Sequence, residues 1–216
     1  QYGADILRLW VAAEDYRDDV RISDEIMRRL ADSYRRIRNT ARNLLANLYD
    51  FNPARDAVGY ASLAELDRWA LGRLAALIKR CREAYEAYEF HAVYHALNNF
   101  CSVDMSALYF DIVKDRVYCS PAGSSERRGA QTAMHEVLSA LARIVAPIMP
   151  FTADEIWRSM PGRGPDDCVF LSDFPAGWPE WADGELEQRW ERVWRVRAEV
   201  TKALEERRKS GAIGHS

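Results

Sequence analysis

Several motifs that mark common classes of enzyme are absent from this sequence of 216 residues. It has no Gly-rich phosphate loop after a strand pattern, no Gly-x-Ser-x-Gly elbow and no His-Glu-x-x-His pair. Nothing therefore predicts a P-loop nucleotidase, an α/β-hydrolase or a zinc protease. No apolar run approaches the roughly 18 residues that a transmembrane helix needs. We therefore expect a protein that does not associate with a membrane and has no catalytic motif of its own.

Cysteine is scarce, and its spacing is irregular. The 4 cysteines form no Cys-x-x-Cys pair and have no matched spacing with histidine. This pattern argues against a zinc knuckle and against a secreted disulfide scaffold, and it fits a reducing compartment. We expect a cytoplasmic protein. The chain begins with Gln1 rather than Met and ends without a terminal signal, so we expect it to be a segment of a longer protein.

The sequence also lacks an excess of positive charge. Lys and Arg together number 30 and Asp and Glu 33, which gives a net charge of -3 and a pI near 5.9. Any binding of nucleic acid must therefore be local, because the chain as a whole has no basic field. A general DNA-binding protein is disfavoured, and the 48% of hydrophobic residues is ample for a core.

Acidic residues are missing from one stretch in particular, between Asp32 and Asp50. It lies within an amphipathic pattern from Ser23 to Asp50 that predicts a long helix. The polar side of this helix carries arginines spaced by three and four residues, with amides between them: Arg35, Arg38, Arg42, Asn39 and Asn43. Guanidinium groups bind phosphates and amides can read base edges, so a nucleic-acid backbone is the natural partner. The alternative is an ordinary solvated face.

Further helical patterns follow, and extended patterns are nearly absent. The apolar spacing predicts helices at 4–13, 63–88, 91–114, about 125–145, 152–160 and 183–209. We expect Ser23 to cap the long helix and expect capping boxes at Ser62 and Thr152. Only the residues near 168–171 resemble a short extended segment. The prediction is an all-α fold, an antiparallel helical bundle.

A few polar residues invite other interpretations. His91 and His95 are four residues apart, a spacing at which two imidazoles on a helix can share a metal ion. No third ligand lies near them in the sequence, and packing or hydrogen bonding within the bundle is the alternative. Asp104 lies in a largely apolar stretch, and a buried carboxylate there needs a partner such as an Arg on a facing helix.

Six stretches follow one another along the chain: YGADILRLWV at 2–11, YRRIRNTARNLLANLYDF at 34–51, ELDRWAL at 65–71, YEFHAVYHALNNFC at 88–101, DMSALYFDIVKDRVY at 104–118 and APIMPFTADEIW at 146–157. In this order they resemble segments of the class I isoleucyl-tRNA synthetase family. The last residues, KSGAIGHS, resemble the start of the family's C-terminal junction. The valyl and leucyl relatives share looser forms of some stretches, and those at 88–101 and 104–118 favour the isoleucyl branch.

The resemblance implies an anticodon-binding domain, which holds the anticodon stem and loop of tRNA(Ile) while a distant catalytic domain performs ATP-dependent isoleucylation. The catalytic domain with its HIGH and KMSKS motifs, and the editing domain, would lie before Gln1, and any zinc module after Ser216. This chain is then expected to be inactive alone and to hold no cofactor, with ATP and Mg²⁺ in the catalytic domain. Its expected partners are tRNA(Ile) and the other domains of the same polypeptide.

The residues and the resemblance together predict the RNA-binding site. The candidates are Arg35, Arg38, Asn39, Arg42, Asn43, Lys114 and Arg116. The arginines of the long helix would hold phosphates or stack on bases, and the asparagines could read base edges. The resemblance favours Asn39 and Arg42 most, because related synthetases share an Asn-x-x-Arg pair on this helix. For Lys114 and Arg116 the alternative is a pair of salt bridges that brace the bundle.

The resemblance also implies four parts along the chain. They are a connector from the catalytic domain at 1–22, the anticodon-binding bundle at 23–160, a linker at 161–182, and a C-terminal helix with the start of the next junction at 183–216. Other functions stay open at this point. The chain could be the same domain of a valyl- or leucyl-tRNA synthetase, a structural bundle that docks an acidic protein partner, or a metal-dependent bundle enzyme that uses His91 and His95.

Overall fold

The computed structural model describes residues 2–17, 19–164 and 166–214. Its α-helices are α1 Ala4–Ala13, α2 Asp24–Asn47, α3 Pro53–Asp56, α4 Glu65–Glu86, α5 Phe90–Asn99, α6 Phe110–Cys119, α7 Ser125–Val145, α8 Pro150–Arg158 and α9 Gly184–Lys209. Within the described ranges there is no strand. The prediction of an all-α helical bundle is confirmed. No helix in this part of the chain is both long and apolar enough to cross a membrane.

The contacts group the chain into two compact units, Gln1–Ala182 and Asp183–Ser216. In the first unit α7 is central, because it packs against α2, α4, α6 and α8. Ala130, Ala133 and Ala140 of α7 are each exposed by no more than 2%, and their small side chains let these neighbours approach closely. The first helix, α1, packs against α2, α5 and α8. The division at residues 22 and 160 stays a prediction.

The second unit consists of α9 and the residues that follow it. Its helix begins after Asp183, whose Oδ1 accepts a hydrogen bond of 2.9 Å from the backbone N–H of Leu186. Arg207, Arg208 and Lys209 lie in the last turn, where positive charge complements the helix dipole. These features stabilise the two ends of the 26-residue helix. His215 and Ser216, at the end of the expected junction, lie outside the described residues.

The long helix α2 forms as the sequence predicts. Ser23 caps it, since its Oγ accepts a hydrogen bond of 3.2 Å from the backbone N–H of Ile26. Asp24 and Glu25 lie in the first turn, near the positive end of the helix dipole. The apolar row along one side, which includes Leu30, Ile37, Ala41 and Leu44, is exposed by 5% or less. This row fixes α2 in the core and turns its opposite side to solvent.

The helix predicted at 91–114 exists, but its middle is wound differently. Phe100–Tyr109 forms a π-helical segment between α5 and α6, and this wider winding changes which side chains face inward. Met105, Tyr109 and Val113 are buried, whereas Ile112 is 41% exposed. The hydroxyl of Ser106 donates a hydrogen bond of 2.7 Å to the backbone C=O of Cys101 inside this segment.

Both predicted capping boxes are wrong. Ser62 ends a 3₁₀ turn at Tyr60–Ser62, and α4 begins after Ala64 without a side-chain cap. The reason is Leu63, whose side chain is buried in the core. Its backbone is extended in this position, so the helix can begin only after it. In α8 the helix begins earlier, at Pro150, because proline suits a first helical turn.

The structure also differs from the prediction at residues 168–171. Val169–Leu171 forms a 3₁₀ turn rather than an extended segment. The backbone N–H and C=O groups of an isolated extended segment have no neighbouring strand with which to form hydrogen bonds. The 3₁₀ turn lets some of these groups form hydrogen bonds within the segment. Val169 is buried at 2% exposure, so the apolar character that suggested a strand comes from packing against α7 and α8.

Candidate nucleic-acid interface

The solvent side of α2 carries five of the predicted site residues. Arg35, Arg38, Asn39 and Arg42 are exposed, and Asn43 is half-buried. We call these five residues the α2 basic face. At a rise of about 1.5 Å per residue, the positions from Arg35 to Asn43 span roughly 12 Å along the helix. The five residues therefore lie on one surface, as their spacing in the sequence predicts.

The arginines of the α2 basic face have weak partners or none. Arg35 pairs with Asp32 in an exposed ion pair, and the Nη2 atom of Arg38 lies 3.1 Å from Oε1 of Glu155 on α8. Arg42 has no side-chain partner among the described residues. Exposed ion pairs contribute about 0–1 kcal/mol to stability, so phosphate oxygens can replace these carboxylates at little cost. Arg42 is the most available cation of the face.

A groove runs beside this face, between α2 and α8. It has a volume of about 300 Å³ and is lined by Arg38, Ala41, Arg42, Leu45, Thr152, Glu155, Ile156 and Ser159. Its α2 wall supplies guanidinium groups, while Glu155 on the α8 wall is negative. An anion is therefore attracted to the rim formed by α2 and repelled by the opposite rim.

Lys114 lies beside the other flank of the α2 basic face. It lines a small depression together with Asn43, Asn47 and Tyr118, although α2 and α6 are far apart in the sequence. The ammonium of Lys114 lies 3.1 Å from Oδ1 of Asp111, one turn earlier on α6. This pair is exposed and weak, so Lys114 is available to the same ligand as Asn43.

Arg116 has a different environment. Its Nη1 and Nη2 atoms donate hydrogen bonds of 2.7 and 2.6 Å to the two carboxylate oxygens of Asp67. Asp67 is fully buried, and it also accepts a hydrogen bond of 2.8 Å from the hydroxyl of Tyr109. Burial, together with the neighbouring Asp67, raises the pKa of Tyr109 well above its ordinary value. The geometry matches the bracing alternative, because both terminal guanidinium nitrogens of Arg116 donate to Asp67.

The prediction for Asp104 is confirmed by a similar pair. Its carboxylate is 6% exposed and accepts hydrogen bonds of 3.2 and 3.3 Å from Nε and Nη2 of Arg73 on α4. This pair joins the π-helical segment to the facing helix. Like the pair of Asp67 and Arg116, it uses a charged partner to satisfy a carboxylate inside the bundle.

A cluster of ion pairs holds the chain just after α2. The carboxylate of Asp50 accepts hydrogen bonds of 2.6 and 3.0 Å from Arg127 and of 2.8 Å from Nε2 of Gln131. The hydrogen bond from Arg127 is the main reason why the pKa of Asp50 lies below its ordinary value. Arg127 is only 4% exposed, so this cluster fixes the turn after α2 to α7.

Two exposed tyrosines lie near this cluster and were not among the predicted site residues. Tyr49 follows α2 and is 81% exposed, and Tyr118 on α6 is 68% exposed. The sequence does contain a signal for both. In the sequence Tyr49 lies seven residues after Arg42, a spacing of two helical turns, and Tyr118 lies four residues after Lys114.

His91 and His95 lie in different surroundings. His95 lies beside Tyr94, with ring centroids 5.0 Å apart, and Nδ1 of His91 is buried without a hydrogen-bond partner in the described part of the chain. Among the described residues no group of three or more His, Cys, Asp or Glu side chains could hold a metal ion. The geometry therefore gives no support to a metal-dependent bundle.

The chain is similar to a described protein family and to several isoleucine–tRNA ligases. The family described as "Anticodon-binding domain of tRNA ligase" matches residues 67–216. The isoleucine–tRNA ligase of Syntrophotalea carbinolica is 53% identical over 216 residues, and that of Geobacter sulfurreducens is 55% identical over 216 residues. Both alignments cover 100% of this chain and 23% of the relative, so the chain spans about a quarter of the length of these relatives.

A solved structure shares the fold. A LeuRS from Agrobacterium radiobacter, crystallised in a ternary complex with tRNA and LeuAMS, superposes with a TM-score of 0.61 and 17% sequence identity. The match covers 84% of this chain and 20% of that one. The resemblance to isoleucyl-tRNA synthetases seen in the sequence is confirmed by the relatives above, and the leucyl protein is more distant. The chain belongs to the family of anticodon-binding domains of tRNA ligases.

Proposed function

We propose that this chain binds the anticodon stem-loop of tRNA(Ile), as one domain of an isoleucine–tRNA ligase. The observation that carries the proposal is the α2 basic face, which stays exposed and is only weakly paired in a chain of net charge -3. Its family binds anticodons, and its similar relatives are isoleucine–tRNA ligases. A local cluster of cations in an acidic chain directs RNA to one surface and keeps it from the remainder.

The chemistry of the α2 basic face suits a single-stranded loop. Its guanidinium groups can bind phosphate oxygens with two parallel hydrogen bonds. Asn39 is exposed between Arg35 and Arg42, and a side-chain amide both donates and accepts hydrogen bonds, so it can pair with a base edge. Loop nucleotides expose these edges because their bases are not paired within the RNA. Arg42 and Asn39 are therefore the central residues of the proposed interface.

The remaining steps of the reaction are assigned to other parts of the protein. We propose that ATP-dependent isoleucylation and editing take place in domains outside this chain, which spans only 23% of the length of its relatives. ATP and Mg²⁺ would bind there, and any zinc would belong to a further C-terminal module. This chain would be inactive alone and would act in the cytoplasm, where its 4 unpaired cysteines remain reduced.

Binding of this chain to synthetic anticodon stem-loops tests the proposal. We expect the isoleucine stem-loop to bind more tightly than valine and leucine stem-loops of equal length. Equal binding of all three would mean that specificity lies outside this chain, and tighter binding of another loop would reassign the domain. If no RNA binds while an acidic protein segment does, the chain is a docking bundle.

A further inference from the structure

Two exposed tyrosines lie next to the α2 basic face, and binding of phosphate does not explain why their rings are exposed. Tyr49 is 81% exposed and Tyr118 is 68% exposed, although aromatic rings favour burial because of their large apolar area. We call these two residues the tyrosine pair. Arg42 lies five residues before Asn47, the last residue of α2, and Tyr49 lies in the turn that follows directly. A strand bound at Arg42 can therefore reach it.

One buried guanidinium supports both members of the tyrosine pair. The Cζ atom of Arg127 lies 5.8 Å from the ring centroid of Tyr49, within the range of a cation–π contact. The Nε atom of the same side chain donates a hydrogen bond of 3.0 Å to the backbone C=O of Val117, the residue before Tyr118. Because Arg127 is itself anchored by Asp50, both tyrosines extend from a fixed base. Their exposed ring surfaces remain open to solvent.

Hydrogen-bond donors lie beside Tyr118. The depression that Tyr118 shares with Asn43, Asn47 and Lys114 has a volume of about 20 Å³, room for about one water molecule. A base would therefore lie across its mouth. Nδ2 of Asn47 donates hydrogen bonds of 2.8 and 3.2 Å to the backbone C=O and Oδ1 of Asn43. This contact orients the Asn43 amide and leaves its Nδ2 without a partner among the described residues.

We propose that the tyrosine pair stacks unpaired nucleobases of the RNA loop, while Asn43 and Lys114 donate hydrogen bonds to acceptors on a stacked base. The inference rests on the proposed function and names the base-binding part of the same surface. Stacking of a base on an aromatic ring is tolerant of sequence, because every base has a π face. The adjacent amide and ammonium then select bases whose edges present acceptors.

An RNA loop explains this surface better than a second protein does. The open ring of Tyr118 adjoins the amide of Asn43 and the ammonium of Lys114, and Tyr49 follows the helix that carries the α2 basic face. Alternation of aromatic rings with cations and amides is the pattern of surfaces that bind single-stranded nucleic acid. Continuity with the α2 basic face favours one ligand that covers both.

The test measures the dissociation constant of the isoleucine anticodon stem-loop for Tyr49→Ala, Tyr118→Ala and the matching Phe variants. Each Ala variant is expected to weaken binding by about 5- to 150-fold, which corresponds to loss of one stacked base. Each Phe variant keeps its ring, so its dissociation constant is expected to stay within about 2-fold of the wild-type value. The control is Tyr88→Asn, which removes a ring that is 65% exposed elsewhere, at φ 58, a conformation that Asn tolerates.

A spectroscopic readout separates stacking from a loss of structure. A stem-loop that carries 2-aminopurine at one loop position at a time should lose fluorescence on binding to wild type and the Phe variants, through stacking. For the Ala variants this quenching is expected to disappear at one position, with the thermal unfolding temperature unchanged. If the Ala variants bind and quench like wild type, the inference is wrong and the proposed function stands. If wild type binds no stem-loop, both are wrong.

Discussion

At the scale of single residues, the environment of a charge decides its role. Lys114 and Arg116 are two residues apart, yet the Lys114 side chain is 52% exposed and the Arg116 side chain 18% exposed. Their sequence context, Lys-Asp-Arg, could not separate them, because the direction of each side chain depends on the π-helical segment before α6. That segment sets the register in which Arg116 meets Asp67 on α4.

Removal of the Arg116 side chain should therefore destabilise the fold. We expect Arg116→Ala to lower the free energy of unfolding by about 3–5 kcal/mol, because it leaves the buried carboxylate of Asp67 without its cation. The matched variant Lys114→Ala should change it by less than about 0.5 kcal/mol. Urea denaturation of both variants measures this difference. Equal stability of the two variants would show that Asp67 does not depend on Arg116.

His135 predicts a dependence of stability on pH. Burial, and to a lesser extent Arg163, lowers the pKa of His135 to about 4, whereas the unfolded chain has a value near 6.5. Between these values the unfolded state binds more protons, so the contribution of neutral His135 is complete above about pH 6.5 and is lost as the pH falls.

The consequence is measurable by comparing wild type with His135→Gln. From pH 7 to pH 5 the wild type should lose about 2 kcal/mol more of its unfolding free energy than the variant does. Denaturation curves at both pH values give this difference. Parallel losses in the two proteins would mean that His135 does not titrate differently in the folded and unfolded states.

At the scale of elements, the apolar spacing in the sequence predicts which segments are helical. It does not predict where the helices end or how tightly they are wound. Leu30, Ile37 and Leu44 share one face because their positions repeat at helical spacing, and such spacing can be read from a sequence. Ser62 has the sequence of a cap, yet burial of Leu63 moves the start of α4 past it. The π-helical segment likewise arises from tertiary packing, which places Met105 and Tyr109 at 0% exposure.

The two serines predicted as caps provide a matched test. Ser23→Ala should lower the free energy of unfolding by about 1 kcal/mol, because it removes the acceptor for the Ile26 N–H at the start of α2. Ser62→Ala should leave it within about 0.5 kcal/mol, because Ser62 is exposed and caps no helix. Comparable losses for both would indicate that α4 uses the capping box after all.

At the scale of the whole molecule, packing of the bundle leaves a polar strip of α2 exposed. Apolar packing of α2 on α7 buries Ala41 and Leu44 and thereby turns Arg42 and Asn43 outward. The five α2 residues could be predicted because a helix maps spacing onto faces. The link between Asn43 and Lys114 could not, since it depends on how α6 packs beside α2. The spacing of Tyr49 and Tyr118 from Arg42 and Lys114 is visible in the sequence, but their exposure is not, because exposure cannot be read from residue type.

The salt dependence of RNA binding tests most directly whether the α2 basic face holds phosphates. The measurement is the slope of log Kd against log salt for the isoleucine anticodon stem-loop, in wild type, Arg35→Ala/Arg42→Ala and Lys79→Ala/Arg80→Ala. The last variant removes the same charge from exposed positions on α4.

Each lost phosphate contact on a single strand lowers the slope by about 0.7. The slope should therefore fall by about 1.4 for the α2 variant and stay unchanged for the α4 variant. A wild-type slope in the α2 variant, or an equal fall in both variants, would contradict the assignment of the α2 basic face as the RNA-binding surface.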